Sequence, residues 1–133
     1  MKIDKELKLD IKRNWITLSK KGEEIIRLYF CRIFDIPEDA RIDGLKSPVI
    51  HIIRLYVSPE YRNKGYGSLL MRLLFENKSD IQDFVVLASP DEESVENRIR
   101  LLNFYKSFGF EVVDEEDEGT FMYCKRKSVK DKK

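Results

Sequence analysis

The chain has 133 residues and a mass of 15.8 kDa, the size of one domain with one hydrophobic core. It carries 25 Lys and Arg against 24 Asp and Glu, a formal net charge of +1, which argues against a uniformly basic nucleic-acid binder and against an acidic solvating chain. Hydrophobic residues make up 42% and charged residues 37%, so a core is expected beneath a heavily charged surface. The two cysteines, Cys31 and Cys124, show no metal spacing and no disulfide framework. A reduced, cytoplasmic setting and no bound metal are therefore expected. The N-terminus, MKIDKELKLDIKR, lacks the apolar run of a secretory signal. No apolar stretch approaches the roughly 20 residues needed to span a bilayer.

Residues 7–18 (LKLDIKRNWITL) alternate apolar and polar in their first half, with Leu7, Leu9 and Ile11 on one face, and read as a strand. Lys20-Lys21-Gly22-Glu23 reads as a turn, and residues 25–34 (IIRLYFCRIF) as a second strand of a hairpin. Residues 37–48 hold two prolines, Gly44 and several charges, and read as a loop. Residues 49–57 (VIHIIRLYV) are nearly all apolar, as a central buried strand requires. The turn SPEYRNKGYG then leads into SLLMRLLFEN, where Leu69, Leu70, Leu73 and Leu74 recur at helical spacing. Residues 84–88 (FVVLA) read as a short strand.

Ser89-Pro90-Asp91-Glu92 has the form of a capping box with Pro at the first helical position. A helix is expected from there, or from Ser94, to Phe108, with Val95, Ile99, Leu102, Tyr105 and Phe108 inward and Gly109 as its terminating residue. Residues 110–113, an acidic turn and residues 120–125 predict a final hairpin. The order β-β-(loop)-β-α-β-α-β-β predicts an α/β or α+β fold with crossovers and a mixed sheet. Residues 1–124 are expected to form a single domain, and 125–133 (KRKSVKDKK) a basic, disordered tail.

The chemistry concentrates where the central strand runs into the glycine turn. The first turn of a helix carries free backbone N–H groups and the positive end of the macrodipole. Gly65 and Gly67 would let an anion approach the backbone, and Arg62 and Lys64 add positive charge. A phosphate or pyrophosphate is the ligand this predicts; a strand–helix turn that merely needs glycine is the bland alternative. The motif is neither a P-loop, since no Lys-Ser/Thr follows the glycines, nor the dinucleotide pattern G-x-G-x-x-G.

Arg62-Asn63-Lys64-Gly65-Tyr66-Gly67 resembles the acyl-CoA loop of the GNAT-superfamily N-acetyltransferases, Arg/Gln-x-x-Gly-x-Gly/Ala. The preceding L-Y-V-S-P-E-Y is similar to that family's lead-in, and Tyr105, Gly109 and Phe110 match the end of its late helix. The resemblance covers about residues 49–125. It implies a mixed, mostly antiparallel sheet with two or more flanking helices. The two helices that members usually carry between their first and second strands are reduced here to a hairpin and loop. It implies acetyl-CoA as cosubstrate, with the pyrophosphate at Arg62, Asn63, Lys64, Gly65, Tyr66, Gly67 and Ser68. It also implies that backbone groups of Leu55, Tyr56 and Val57 pair with the pantetheine arm and polarise the thioester carbonyl. The family's Asn, seven residues before its late-helix Tyr, is Arg98 here; Asn97 stands one residue earlier and is its candidate equivalent.

The implied reaction is direct acetyl transfer to a primary amine, which needs an acid for the leaving thiolate and a base for the incoming ammonium. Tyr105 matches the family's acid; an aromatic packed in the core is the alternative. His51, the one histidine, lies on the same strand face as Ile53, Leu55 and Val57. The histone-acetyltransferase-like branch carries a catalytic Glu at the corresponding position, and imidazole suits a base near neutrality. A structural histidine is the alternative there, and Glu92, Glu93 and water are rivals for the role. A cysteine acyl-enzyme is weighed against ordinary buried cysteines.

Asp114-Glu115-Glu116-Asp117-Glu118 predict a cationic amine acceptor, or else an inert solvated hairpin tip. A second copy could pair along the edge of the front hairpin. The competing functions are a catalytically reduced acyl-CoA-binding or regulatory module, and a small interaction protein that uses its basic tail on nucleic acid.

Overall fold

A computed structural model describes residues 7–34, 42, 44–45, 48–90 and 94–125. Seven strands hydrogen-bond in the order β1-β2-β3-β4-β5-β7-β6, and the pairings β1–β2, β2–β3, β5–β7 and β6–β7 are antiparallel. In chain order they are β1 (Leu7–Ile11), β2 (Trp15–Lys20), β3 (Glu23–Ile33), β4 (Val49–Val57), β5 (Asp83–Ala88), β6 (Glu111–Glu116) and β7 (Gly119–Lys125). Helices α1 (Tyr66–Asn77) and α2 (Val95–Lys106) follow β4 and β5. This is the expected mixed α+β architecture. The chain divides into two compact units, Met1–Cys31 with Ile52–Ser79, and Arg32–His51 with Asp80–Lys133.

In the first unit the expected single strand over residues 7–18 is two strands. The polar run Lys12-Arg13-Asn14 breaks the alternation, and the Lys12 amide donates to the Trp15 carbonyl at 2.8 Å, reversing the chain so that Ile11 faces Ile16. The expected turn at Lys21-Gly22 is present, with both residues at positive φ (51° and 79°), the type I′ geometry that suits a twisted hairpin. A bulge between Leu18 and Ser19 adds Ile25 on β3. Ile16, Leu18, Ile26, Leu28 and Phe30 are fully buried with Leu70, Met71 and Leu74 of α1, which packs on β2. Their alternation on the strands and their three-to-four spacing on the helix are what allow one face of each to leave water. On the other strand face the Arg27 guanidinium lies 5.6 Å from the Trp15 ring and 5.2 Å from the Tyr29 ring, and its Nε donates to Glu24 at 2.8 Å.

In the second unit β5, β7 and β6 form an antiparallel sheet whose buried residues include Phe84, Val86, Met122 and Cys124, with Phe110 buried just ahead of β6. Gly119 opens β7 against the end of β5: a Cβ placed there would lie 2.7 Å from the Ala88 carbonyl oxygen, so no side chain fits. Of the two starts open to α2, the structure takes Ser94, whose Oγ accepts the Asn97 amide at 3.0 Å. Asp91, Glu92 and Glu93 lie outside the described residues. At its other end the helix closes at Gly109 as expected. The Gly109 amide donates to Lys106 and the Phe110 amide to Tyr105, a Schellman pattern in which the Phe110 ring packs 5.6 Å from Tyr105.

Two expectations for this unit are corrected. Val95 and Ile99, expected inward, are 76% and 53% exposed, because the amphipathic face of α2 buries only its Tyr105 end. The carboxylates expected in one turn are mostly on a strand: β6 runs through Glu116, which pairs with Gly119, leaving Asp117 and Glu118 as the turn.

Among the described residues no helix is long and apolar enough to cross a membrane.

Candidate active site

The central strand does not stay buried along its length. Val49, Ile50 and Ile52 are inaccessible, but Ile53 is 54% exposed, Arg54 is exposed, and Leu55, Tyr56 and Val57 are half-buried. The alternate residues His51, Ile53, Leu55 and Val57 share one face of the strand.

At the end of β4 the Ser58 amide donates to the carbonyl of Ile25, the bulge residue, at 2.7 Å. A single 3₁₀ turn over Pro59–Tyr61 follows. Asn63 then takes a positive φ of 62°, and Gly65 caps α1 with φ 84° and ψ 3°. A glycine cap offers no side chain to the helix amides, and none bonds to them here. The first intrahelical bond joins the Leu69 amide to the Gly65 carbonyl at 3.1 Å, so the amides of Tyr66, Gly67 and Ser68 precede the helix ladder. The first turn contains no acidic residue to fill the positive end of the macrodipole. The Tyr61 and Tyr66 rings meet edge to face at 6.0 Å, and Lys64 Nζ lies 5.7 Å from the Tyr61 ring, so two aromatics and an ammonium frame the turn. Arg62 sends its Nε back to the Val57 carbonyl at 3.1 Å. The sequence marks Arg62 as a charge, but this bond, and the part played by Tyr61, depend on where the loop folds.

His51, Asn97 and Tyr105 fall in the second unit. Burial pulls the half-buried His51 imidazole below its usual 6.5, leaving it neutral and able to accept a proton near pH 7. Tyr105 is only 3% exposed, between the rings of Phe104 at 5.2 Å and Phe110 at 5.6 Å. Burial pushes its phenol far above the usual range, which keeps it protonated. The Asn97 amide is used by the Ser94 cap. The Cys31 thiol is pushed up by burial, the opposite of an activated nucleophile, and Cys124 Sγ lies 3.6 Å from the Phe108 carbonyl within the core.

Residues 12–112 match the family model described as an acetyltransferase (GNAT) domain. The chain belongs to the GNAT acetyltransferase family. Solved structures share the fold at low identity. The PaiA N-acetyltransferase of Thermoplasma acidophilum, solved in complex with coenzyme A, is 21% identical with a TM-score of 0.59, over 84% of this chain and 60% of that one. PH1933 of Pyrococcus horikoshii gives a TM-score of 0.66 at 14% identity, over 85% and 65%. The Bacillus subtilis N-acetyltransferase YlbP, also with coenzyme A, gives 0.61 at 14%, over 86% and 68%. The chain thus spans 60 to 68% of the length of these three relatives. No curated protein matches it.

Proposed function

We propose that this GNAT protein is an N-acetyltransferase that moves an acetyl group from acetyl-CoA directly to a primary amine. The observation that carries this reading is the β4–α1 turn, where a left-handed glycine cap presents uncapped helix amides with no acidic residue beside them. Such a turn fits the pyrophosphate of acetyl-CoA on the amides of Tyr66, Gly67 and Ser68, with Arg62, Asn63, Lys64 and Gly65 shaping the turn. The backbone of Leu55, Tyr56 and Val57, at the end of β4, runs alongside the pantetheine arm, and one of its amides polarises the thioester carbonyl. His51, neutral at pH 7, takes the proton of the incoming ammonium, directly or through water. The amine nitrogen bonds to the carbonyl carbon, the carbon–sulfur bond breaks, the thiolate takes the Tyr105 hydroxyl proton, and the second proton shed by the new amide nitrogen restores the Tyr105 phenol through solvent. Asn97, on α2 with Tyr105, is a further candidate contact for the cosubstrate.

The acceptor in this reading is cationic: a polyamine, an aminoglycoside, a lysine side chain or a protein N-terminus. Asp114, Glu115 and Glu116 on β6, with Asp117 and Glu118 in its turn, set a negative field on the second unit. We take the catalyst as a single cytoplasmic domain over 1–124 with a basic tail, able to pair with a second copy along β1, which ends the sheet.

A second reading, an acyl-CoA-binding module without catalysis, is favoured by the near-complete burial of Tyr105 among aromatic rings. Thiol release from acetyl-CoA, measured with a panel of cationic and neutral amines at low and high salt, separates the two. The catalyst releases thiol with a cationic amine, less so as salt rises. Acetyl-CoA binding with no thiol release from any amine supports the module instead.

A further inference from the structure

As a charge beside an anion site, Arg62 would be expected to hold its guanidinium toward the ligand. Its Nε instead donates to the Val57 carbonyl at 3.1 Å, closing a ring between the last residue of β4 and the start of the turn. The segment inside that ring is bonded to itself and to β3. The Tyr61 amide donates to Ser58 at 2.8 Å, the Arg62 amide to Pro59 at 3.4 Å, and the Ser58 amide to Ile25 at 2.7 Å. Directly after it come the two left-handed residues, Asn63 and Gly65. Asn enters the left-handed region more readily than other non-glycine residues, so the course of the chain through Asn63 is set by what holds its two flanks. The first bond of α1 fixes one flank of this pair. The Arg62 side chain fixes the other.

The geometry points to Arg62 as a positioning residue: its Nε–H, donated to Val57, holds the turn whose amides receive the pyrophosphate, and its charge is secondary. This rests on the reading of that turn as the acetyl-CoA site. The side-chain chemistry supplies a clean separation. Gln places its amide nitrogen the same number of bonds from Cα as Arg places Nε, so Arg62→Gln keeps the donor and drops the charge. Arg62→Lys keeps the charge but moves its nitrogen one atom further out and loses the planar N–H.

The test is a titration with coenzyme A across salt concentrations, together with amide hydrogen exchange over residues 63–68 without ligand. The brace predicts that Arg62→Lys loses about tenfold in affinity, the scale of one hydrogen bond. Arg62→Gln should stay within about threefold of the unsubstituted protein and keep its salt dependence. Exchange should be faster in Arg62→Lys than in Arg62→Gln. A reversed order, with Arg62→Lys the tighter binder and the salt dependence flattened in Arg62→Gln, overturns the brace, as does equal affinity in the two variants. If the unsubstituted protein binds no coenzyme A, the reading of the turn fails. The exchange order then decides the brace alone: faster in Arg62→Lys supports it, and equal rates overturn it.

Discussion

The two helices begin in opposite ways. The first residue ahead of α2 is Ser94, whose hydroxyl accepts the Asn97 amide and answers the helix's own need for a partner. Ahead of α1 stands Gly65, left-handed and without a side chain, next to a second left-handed residue and a helix turn free of carboxylates. A helix that only has to be stable begins like α2. A glycine cap gives up only a few tenths of a kcal/mol against serine, and at α1 it leaves the first amides open, where the geometry suits an anion.

Substituting Gly65 by Val attacks the bare start directly. A β-branched residue at φ 84° is strained, and its side chain would stand over the amides. Loss of coenzyme A affinity of about a hundredfold or more is expected, by analogy with the cost of misplacing a binding group. Circular dichroism should show the domain still folded, and unchanged affinity in a folded variant would sink the site.

Tyr105→Phe removes one hydroxyl at the far end of the capped helix. The expected fall in turnover is about tenfold to a thousandfold, with coenzyme A binding retained. An unaltered turnover number would leave Tyr105 a packing residue.

Ser94→Ala should cost about 1 kcal/mol in a denaturant titration and leave coenzyme A affinity where it was. A change in affinity would mean that the α2 start is also part of the site.

The smallest effect is expected at His51. Its pKa lies below the unfolded value of 6.5, so below that pH the unfolded chain binds the extra proton first. Stability contributed by the neutral ring is therefore present above pH 6.5 and lost as pH falls through the lower, folded value. His51→Gln should flatten this acid-side decline. In the catalytic reading it should also remove the rising limb of the pH–rate profile. A limb that survives the substitution would transfer the base to another group.

Much of this was open to sequence reading because it is local. Nine residues of β4, the leucines of α1 and Gly109 behind α2 carry their signals within a few positions of themselves. The glycine turn was legible for the same reason, since a left-handed cap and its neighbours are consecutive. What escaped depends on partners distant in the chain. The break at Lys12-Arg13-Asn14 turns on which residues β1 meets across the hairpin, and a run of alternating residues does not reveal where it folds. Ile53, Val95 and Ile99 look like core residues by composition, yet each is exposed because nothing among the described residues covers it. The Arg62 bond to Val57 joins residues only five apart, but it forms through the three-dimensional path of Pro59–Tyr61.

Gly119 carries a consequence for how this sequence can drift. A methyl group there would press on the Ala88 carbonyl at 2.7 Å and come within 3.3 Å of Leu87, so accepting any other residue means parting β7 from β5 at their shared end. Ala88 closes the strand that feeds the chain toward α2 and Tyr105. Change at position 119 would thus be felt along the path to the proposed acid, and no repair in the side chain of a neighbour could absorb it, because the obstacle is backbone. In a lineage that kept this architecture, position 119 would be inherited as glycine.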